Sequence, residues 1–280
     1  SKFTIISGDN GFSFNNNQLV GKGKNKFILF GDSLGLHVMS YLKDISLSRD
    51  MSFYNVTHST CISLPNITNY YNPQNIKKFK LRKSCTNLYK NINLIIKSNK
   101  NEPIVIFYNS WFKHIIKNDS RDYNEHLKFN DDPNQNDRVI RAILNDIIKL
   151  KKINKASKKW IVVGKTPGSY NYDFKGFLNC YSSKKSYFRQ PFDEVTGCEK
   201  KGLIENGTNY LNHKLFKKII ASDYSNDLIY IDTYELYCDE IYCYNFTNEN
   251  QLIYKDHHHF TYEGSKKIVK KILKIFYELQ

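Results

Sequence analysis

Ser33 lies in the run Phe30-Gly31-Asp32-Ser33-Leu34-Gly35, where an apolar stretch gives way to a glycine, a carboxylate and a hydroxyl. A serine hydroxyl is a poor nucleophile until a base takes its proton, and an imidazole serves as that base when a third group fixes its tautomer. Both partners are available far along the chain in Asp256-His257-His258-His259-Phe260-Thr261, where Asp256 and His259 can share one turn. Such a set attacks an acyl carbonyl, holds the acyl group as an ester on the serine and passes it on. His257 and His258 compete for the role of base. A metal centre is the other reading of the triplet, but three consecutive histidines cannot all face one ion from a regular strand or helix. No acidic or cysteine cluster accompanies them, so neither a metal nor any other cofactor is expected.

Positioning these groups requires a scaffold that brings residues near 33 and 259 to one place. Apolar runs at Lys26 to Ser33, Met51 to His58, Pro103 to Asn109, Trp160 to Lys165 and Leu228 to Thr233 read as strands buried on both faces. Helical spacing appears between them, as in Val139, Ile140, Ile143, Leu144, Ile147 and Ile148, and again in Ile268, Ile272, Ile275 and Phe276. Alternation of this kind predicts an α/β fold with a mainly parallel five-stranded sheet. Ser33 then falls at a strand-to-helix turn on the carboxyl edge of the sheet, where open α/β folds bind ligands, and its own N–H at the helix N-terminus can support an oxyanion. Thr261 is placed to cap the closing helix. Residues 1–25 read as an irregular lead-in and 26–280 as a single domain, with long irregular stretches at Asn118 to Asn136 and Tyr170 to Gly207.

The composition bounds the setting. The chain has 42 Lys and Arg against 27 Asp and Glu, for a net charge of +15. Lys, Asn, Ile and Tyr rise together as AT-rich coding would produce, the lysines are spread along the sequence, and no nucleic-acid module is present, so nucleic acid is not the expected partner. No run reaches the length of about 18 apolar residues that a membrane span needs. The opening Ser1-Lys2 is what a segment cut from a longer protein would show. Six cysteines fall into sequence neighbours, Cys61 with Cys85, Cys180 with Cys198 and Cys238 with Cys243. Six allow 15 pairings, and unpaired buried thiols are the competing reading. Three disulfides would place the chain outside the reducing cytosol. Asn-x-Ser/Thr sequons at Asn55, Asn66, Asn118, Asn206 and Asn245 are no more than so Asn-rich a chain yields by chance.

Gly-Asp-Ser after the first strand together with Asp-x-x-His before the closing helix resembles the paired signature of the SGNH (GDSL-type) hydrolase superfamily. The resemblance implies a flavodoxin-like three-layer α/β/α sandwich with Ser33, Asp256 and His259 as catalytic triad. It favours His259 over its neighbours, because the following Phe-Thr resembles the common His-Leu-Ser. It also implies an oxyanion hole made by the Ser33 amide and the Asn109 side chain, although the Gly and Asp that usually surround that Asn are absent. The usual glycine donor is missing too, since no glycine lies between Gly35 and Gly164. A backbone amide within Thr60 to Ser63, that of Cys61 or Ser63, would have to replace it.

Ser59-Thr60-Cys61-Ile62-Ser63-Leu64-Pro65, Cys85-Thr86-Asn87-Leu88-Tyr89, Tyr108-Asn109-Ser110-Trp111 and Cys238 to Tyr244 resemble one branch in particular. That branch is the extracytoplasmic SGNH domain fused to acyltransferase family three membrane proteins. His37 falls where a second histidine is common there. This likeness implies an acyl donor and a polysaccharide acceptor as partners, a membrane acyltransferase domain in the same protein or beside it, and a periplasmic or cell-surface location. The activity implied is O-acetyl transfer, with a carbohydrate O-acetylesterase on the same triad as the alternative.

Overall fold

The computed structural model describes residues 19–57, 64, 67–68, 83–107, 115–117, 126–127, 132–168, 201–204, 210–255 and 259–279. The five apolar runs become strands: β2 (Asn25–Gly31), β3 (Met51–Thr57), β5 (Ile104–Phe107), β8 (Trp160–Val163) and β10 (Leu228–Ile231). They pair in parallel in the order β3-β2-β5-β8-β10. The sheet has one strand more than the five predicted, because β1 (Leu19–Gly21) adds antiparallel to the β3 edge from within the expected lead-in. A three-residue edge strand has too short an alternation to be read from sequence.

Consecutive residues of each strand feed opposite layers. Ile28, Phe30, Val56, Ile106 and Val162 pack beneath α2 (Lys83–Ser98), α3 (Pro133–Ile153) and the helix Tyr210–Ile219. Phe27, Leu29, Phe53, Val105 and Val163 pack beneath α1 (Ser33–Ser48) and the closing helix Tyr262–Glu278. The result is the expected three-layer α/β/α sandwich. Both layers are needed to bury so apolar a sheet, which is why its strands read as continuous runs.

The stretches expected to be irregular contain some structure. Within Asn118 to Asn136, β7 (His126–Leu127) pairs with β6 (Ile115–Lys117), which pairs with β4 (Ile67–Thr68). The same stretch ends in helix, since Asp132 accepts a hydrogen bond from the Asn134 amide at 2.9 Å and Pro133 opens α3, a start signal hidden in a polar sequence. In the second, β9 (Lys201–Leu203) pairs with β11 (Tyr242–Tyr244). Beside that pair the Cys238–Cys243 disulfide closes, as the neighbour pairing proposed. Cys61, Cys180 and Cys198, and the side chain of Cys85, lie outside the described residues. Among the described residues no helix is long and apolar enough to cross a membrane. The sequon residues Asn55 on β3 and Asn245 are both 1% exposed.

Candidate active site

Strand order fixes where the chemistry can be. The sequence leaves β2 for α1 on one side of the sheet and enters β5 from the other, so a crevice opens between the carboxyl ends of β2 and β5. Gly31 ends β2 in register with Thr57 of β3 and Phe107 of β5. The turn carrying Ser33 follows Gly31, while the sequence after Thr57 holds Cys61 and Ser63 and the sequence after Phe107 holds Asn109. Cys61, Ser63 and Asn109 lie outside the described residues.

Ser33 is the first residue of α1. Asp32, 2% exposed, caps the helix by accepting a hydrogen bond from the Leu34 amide at 3.0 Å. That cap binds the carboxylate to the backbone and leaves the next side chain, the hydroxyl, at the positive end of the helix dipole.

His259 reaches the same point from the other end of the chain. Its carbonyl accepts from the Lys255 amide at 2.9 Å, and Tyr254 bridges to Phe260, so the segment folds back on itself just before the closing helix. Phe260 anchors it by packing with Tyr237 and Tyr254 in the core. Thr261 caps the helix as predicted, accepting from the Gly264 amide at 3.0 Å. Gly264 is required by close approach, because a Cβ there would lie 1.9 Å from the Ile253 carbonyl oxygen. These contacts put His259 Nε2 2.8 Å from Ser33 Oγ, a hydrogen bond between residues 226 positions apart. The His259 ring also rests against His37, one turn along α1 from Ser33, with ring centroids 4.3 Å apart. Asp256, His257 and His258 lie outside the described residues.

A family model described as the SGNH domain (fused to AT3 domains) matches residues 7–274. The chain belongs to this family. Among solved structures, this SGNH domain is similar to the periplasmic domain of a lipopolysaccharide acetyltransferase from Salmonella ser. Paratyphi A, with 19% identity and a TM-score of 0.56 over 91% of this chain and 85% of that one. At that identity the likeness concerns the fold. No curated protein matches the sequence.

Sequence reasoning missed a second histidine–hydroxyl pair in the SGNH domain. His213, 1% exposed on the helix Tyr210–Ile219, lies with Nδ1 2.8 Å from the Tyr230 hydroxyl of β10 and with its ring against Tyr234. Gly164 at the end of β8 makes room for the pair, since a Cβ there would come within 2.4 Å of the Tyr230 oxygen. Burial, with a smaller contribution from the Lys165 charge, pushes the His213 imidazole down to about 3, although a backbone hydrogen bond at Lys165 acts the other way. Burial also raises the Tyr230 phenol well above its usual range. The same loop is tied by a hydrogen bond from the Thr233 hydroxyl to the Lys165 carbonyl. A glycine after an apolar strand was the one sequence signal for this packing. Asp232 is a structural acceptor, taking the Tyr234 amide at 2.9 Å, and desolvation raises its carboxyl. Among the described residues no cluster could hold a metal ion.

Proposed function

We propose that this SGNH domain transfers an acyl group, acetyl in the first instance, to hydroxyls of a surface or exported polysaccharide through an acyl-enzyme on Ser33. The observation that carries the reading is the 2.8 Å contact between Ser33 Oγ and His259 Nε2 at the carboxyl edge of the sheet. Nε2 takes the hydroxyl proton as Oγ bonds to the acyl carbon of the donor ester, and the resulting imidazolium returns that proton to the departing oxygen. An acceptor hydroxyl then gives its proton to Nε2 and attacks the Ser33 ester, releasing the acylated acceptor and restoring the serine. Asp256 would hold the Nδ1–H tautomer that this sequence needs. The Ser33 amide at the α1 N-terminus, the Asn109 side chain and the backbone of Cys61 or Ser63 would receive the oxyanion.

Membership of a family whose domains are fused to AT3 domains supports an acyl supply from a membrane acyltransferase domain in the same protein, and with it an extracytoplasmic location. The fold likeness to a lipopolysaccharide acetyltransferase's periplasmic domain points the same way.

A serine-directed fluorophosphonate tests the reading. It labels the wild-type chain and the His258→Ala variant, but not Ser33→Ala. Label retained on Ser33→Ala overturns the assignment of the nucleophile. With an activated acetyl ester and a glycan acceptor present, acetylated glycan should accumulate faster than free acetate. Acetate release that no acceptor diverts replaces the transferase with an O-acetylesterase.

A further inference from the structure

The lysines that are scattered in sequence are gathered in space. The edge of the sheet opposite Ser33 is built from the turns that enter the parallel strands, and these turns are stitched together. The Asn25 amide donates to the Asp50 carbonyl, Ser157 to Lys100 and Trp160 to Asp227. The turn before β2 presents Lys22 and Lys24, and the end of α1 presents Arg49, all exposed. The last turn of α2 and the turn after it add Lys97 and Lys100, and the last turn of α3 and the turn after it add Lys152 and Lys155, again exposed. Lys26 at the start of β2 and Lys158 in the turn before β8 both act on Glu102, where burial raises the carboxyl and both ammonium groups act to lower it.

The acidic groups described at this end are few and engaged. Asp50 accepts the Lys24 amide at 2.8 Å, Asp227 pairs with Lys151 at 2.6 Å, and Asp223 on the flank is held by Arg141. Glu102 lies between Lys26 and Lys158, Asp44, one turn before the end of α1, accepts from the Tyr262 hydroxyl at 2.7 Å, and Glu278 ends the closing helix. At the catalytic edge the described charges are of both signs, as in Lys165, Asp232, Glu235 and Lys255. Complementing helix dipoles explains lysines in the last turns of α2 and α3. It does not explain Lys22, Lys24, Lys100 and Lys158, which lie outside helices.

Two aliphatic side chains stand among these cations, Leu47 at the end of α1, 72% exposed, and Ile153 at the end of α3, 53% exposed. Bare cations alone would suit any polyanion. Cations with protruding aliphatic groups suit a surface that is anionic at its face and apolar just beneath, which is a bilayer containing acidic lipids. We infer that this basic pole docks the domain on an anionic membrane surface. Seven residues of β2 then hold Ser33 roughly 20–25 Å above the lipid, with the Ser33 edge turned away from it. The inference does not depend on the acyl-transfer reading.

Flotation of the purified chain with phosphatidylcholine vesicles, with and without phosphatidylglycerol, tests it. The wild-type chain should float only with phosphatidylglycerol and should be released by high salt. Lys24→Glu combined with Lys155→Glu should weaken partitioning by at least about tenfold. Lys155→Gly serves as a second variant that does not threaten folding, because Lys155 adopts the left-handed conformation at φ 51°, which glycine prefers, and it should weaken binding while the melting temperature holds or rises. Leu47→Ser should weaken binding in both low and moderate salt. Lys267→Glu with Lys270→Glu, in the first half of the closing helix and away from the pole, should leave binding near the wild-type level. Equal losses from both pairs of reversals would mean that net charge alone is sensed and would overturn the inference. So would a chain that binds a soluble anionic polysaccharide through the pole and never floats with acidic vesicles.

Discussion

His259 and His213 each lie 2.8 Å from a hydroxyl, one on Ser33 and one on Tyr230, and both occupy the carboxyl half of the same sheet. The hydrogen bond is the same in length; the surroundings differ. His259 and Ser33 are half-buried at the switch of strand order, which leaves both groups partly exposed. His213 is sealed among Tyr230, Tyr234 and Gly164, where an imidazolium is so costly that the ring stays neutral until about pH 3. A histidine–hydroxyl contact therefore says little about chemistry until its exposure and its place in the strand order are known.

The comparison breaks most sharply under mutation. Ser33→Ala and His259→Ala should each lower acetyl-ester turnover by about 10⁴-fold, whereas His213→Gln should leave it within a few-fold of wild type. Steady-state kinetics on folded protein checks this, and a His213→Gln loss as deep as that of His259→Ala would reverse the roles given to the two residues.

Acid should separate them next. The unfolded chain takes up a proton at His213 near pH 6.5, while the folded chain does so only near 3, so the unfolded state binds more protons in that window and stability falls as pH falls. The slope this residue contributes is about 1.4 kcal/mol per pH unit within the window. Denaturant melts of wild type and His213→Gln across the range should show the variant's curve flatter by that amount, and parallel curves would mean that His213 titrates normally.

Gly264→Ala should have the smallest effect on the comparison and the most informative one on geometry. A methyl group placed 1.9 Å from the Ile253 carbonyl must push the first turn of the closing helix away. The cost should be about 1–3 kcal/mol. Because the displaced turn carries the Thr261 cap and, just before it, His259, turnover should drop while the His213 environment, followed by the acid slope, stays unchanged.

Much of this arrangement was legible in the residues. Each strand of the parallel sheet carries a mainly apolar run because both faces are covered, so its position survives any uncertainty about register. Ser33 and His259 announce themselves because Gly-Asp-Ser and the histidine cluster sit against strand and helix boundaries. What sequence could not give was depth. Nothing in Asn212-His213-Lys214, a polar stretch on an amphipathic helix, tells that its imidazole is buried at a tyrosine on a strand still to come. The basic pole was hidden for a related reason: Lys24, Lys100 and Lys155 are far apart along the chain and become neighbours only when parallel strands align their entrances. The β1 edge and the capped start of α3 at Asp132 were missed because both are short signals within polar surroundings.

The burial of Asn55 and Asn245 bears on how the protein can be made. Each is followed by a sequence that a eukaryotic secretory pathway would recognise, and oligosaccharide is attached there to the emerging chain before tertiary structure forms. A sugar tree on Asn55 could not enter the middle of β3, so a host that glycosylates would manufacture chains unable to close their own sheet, while a bacterial host would not.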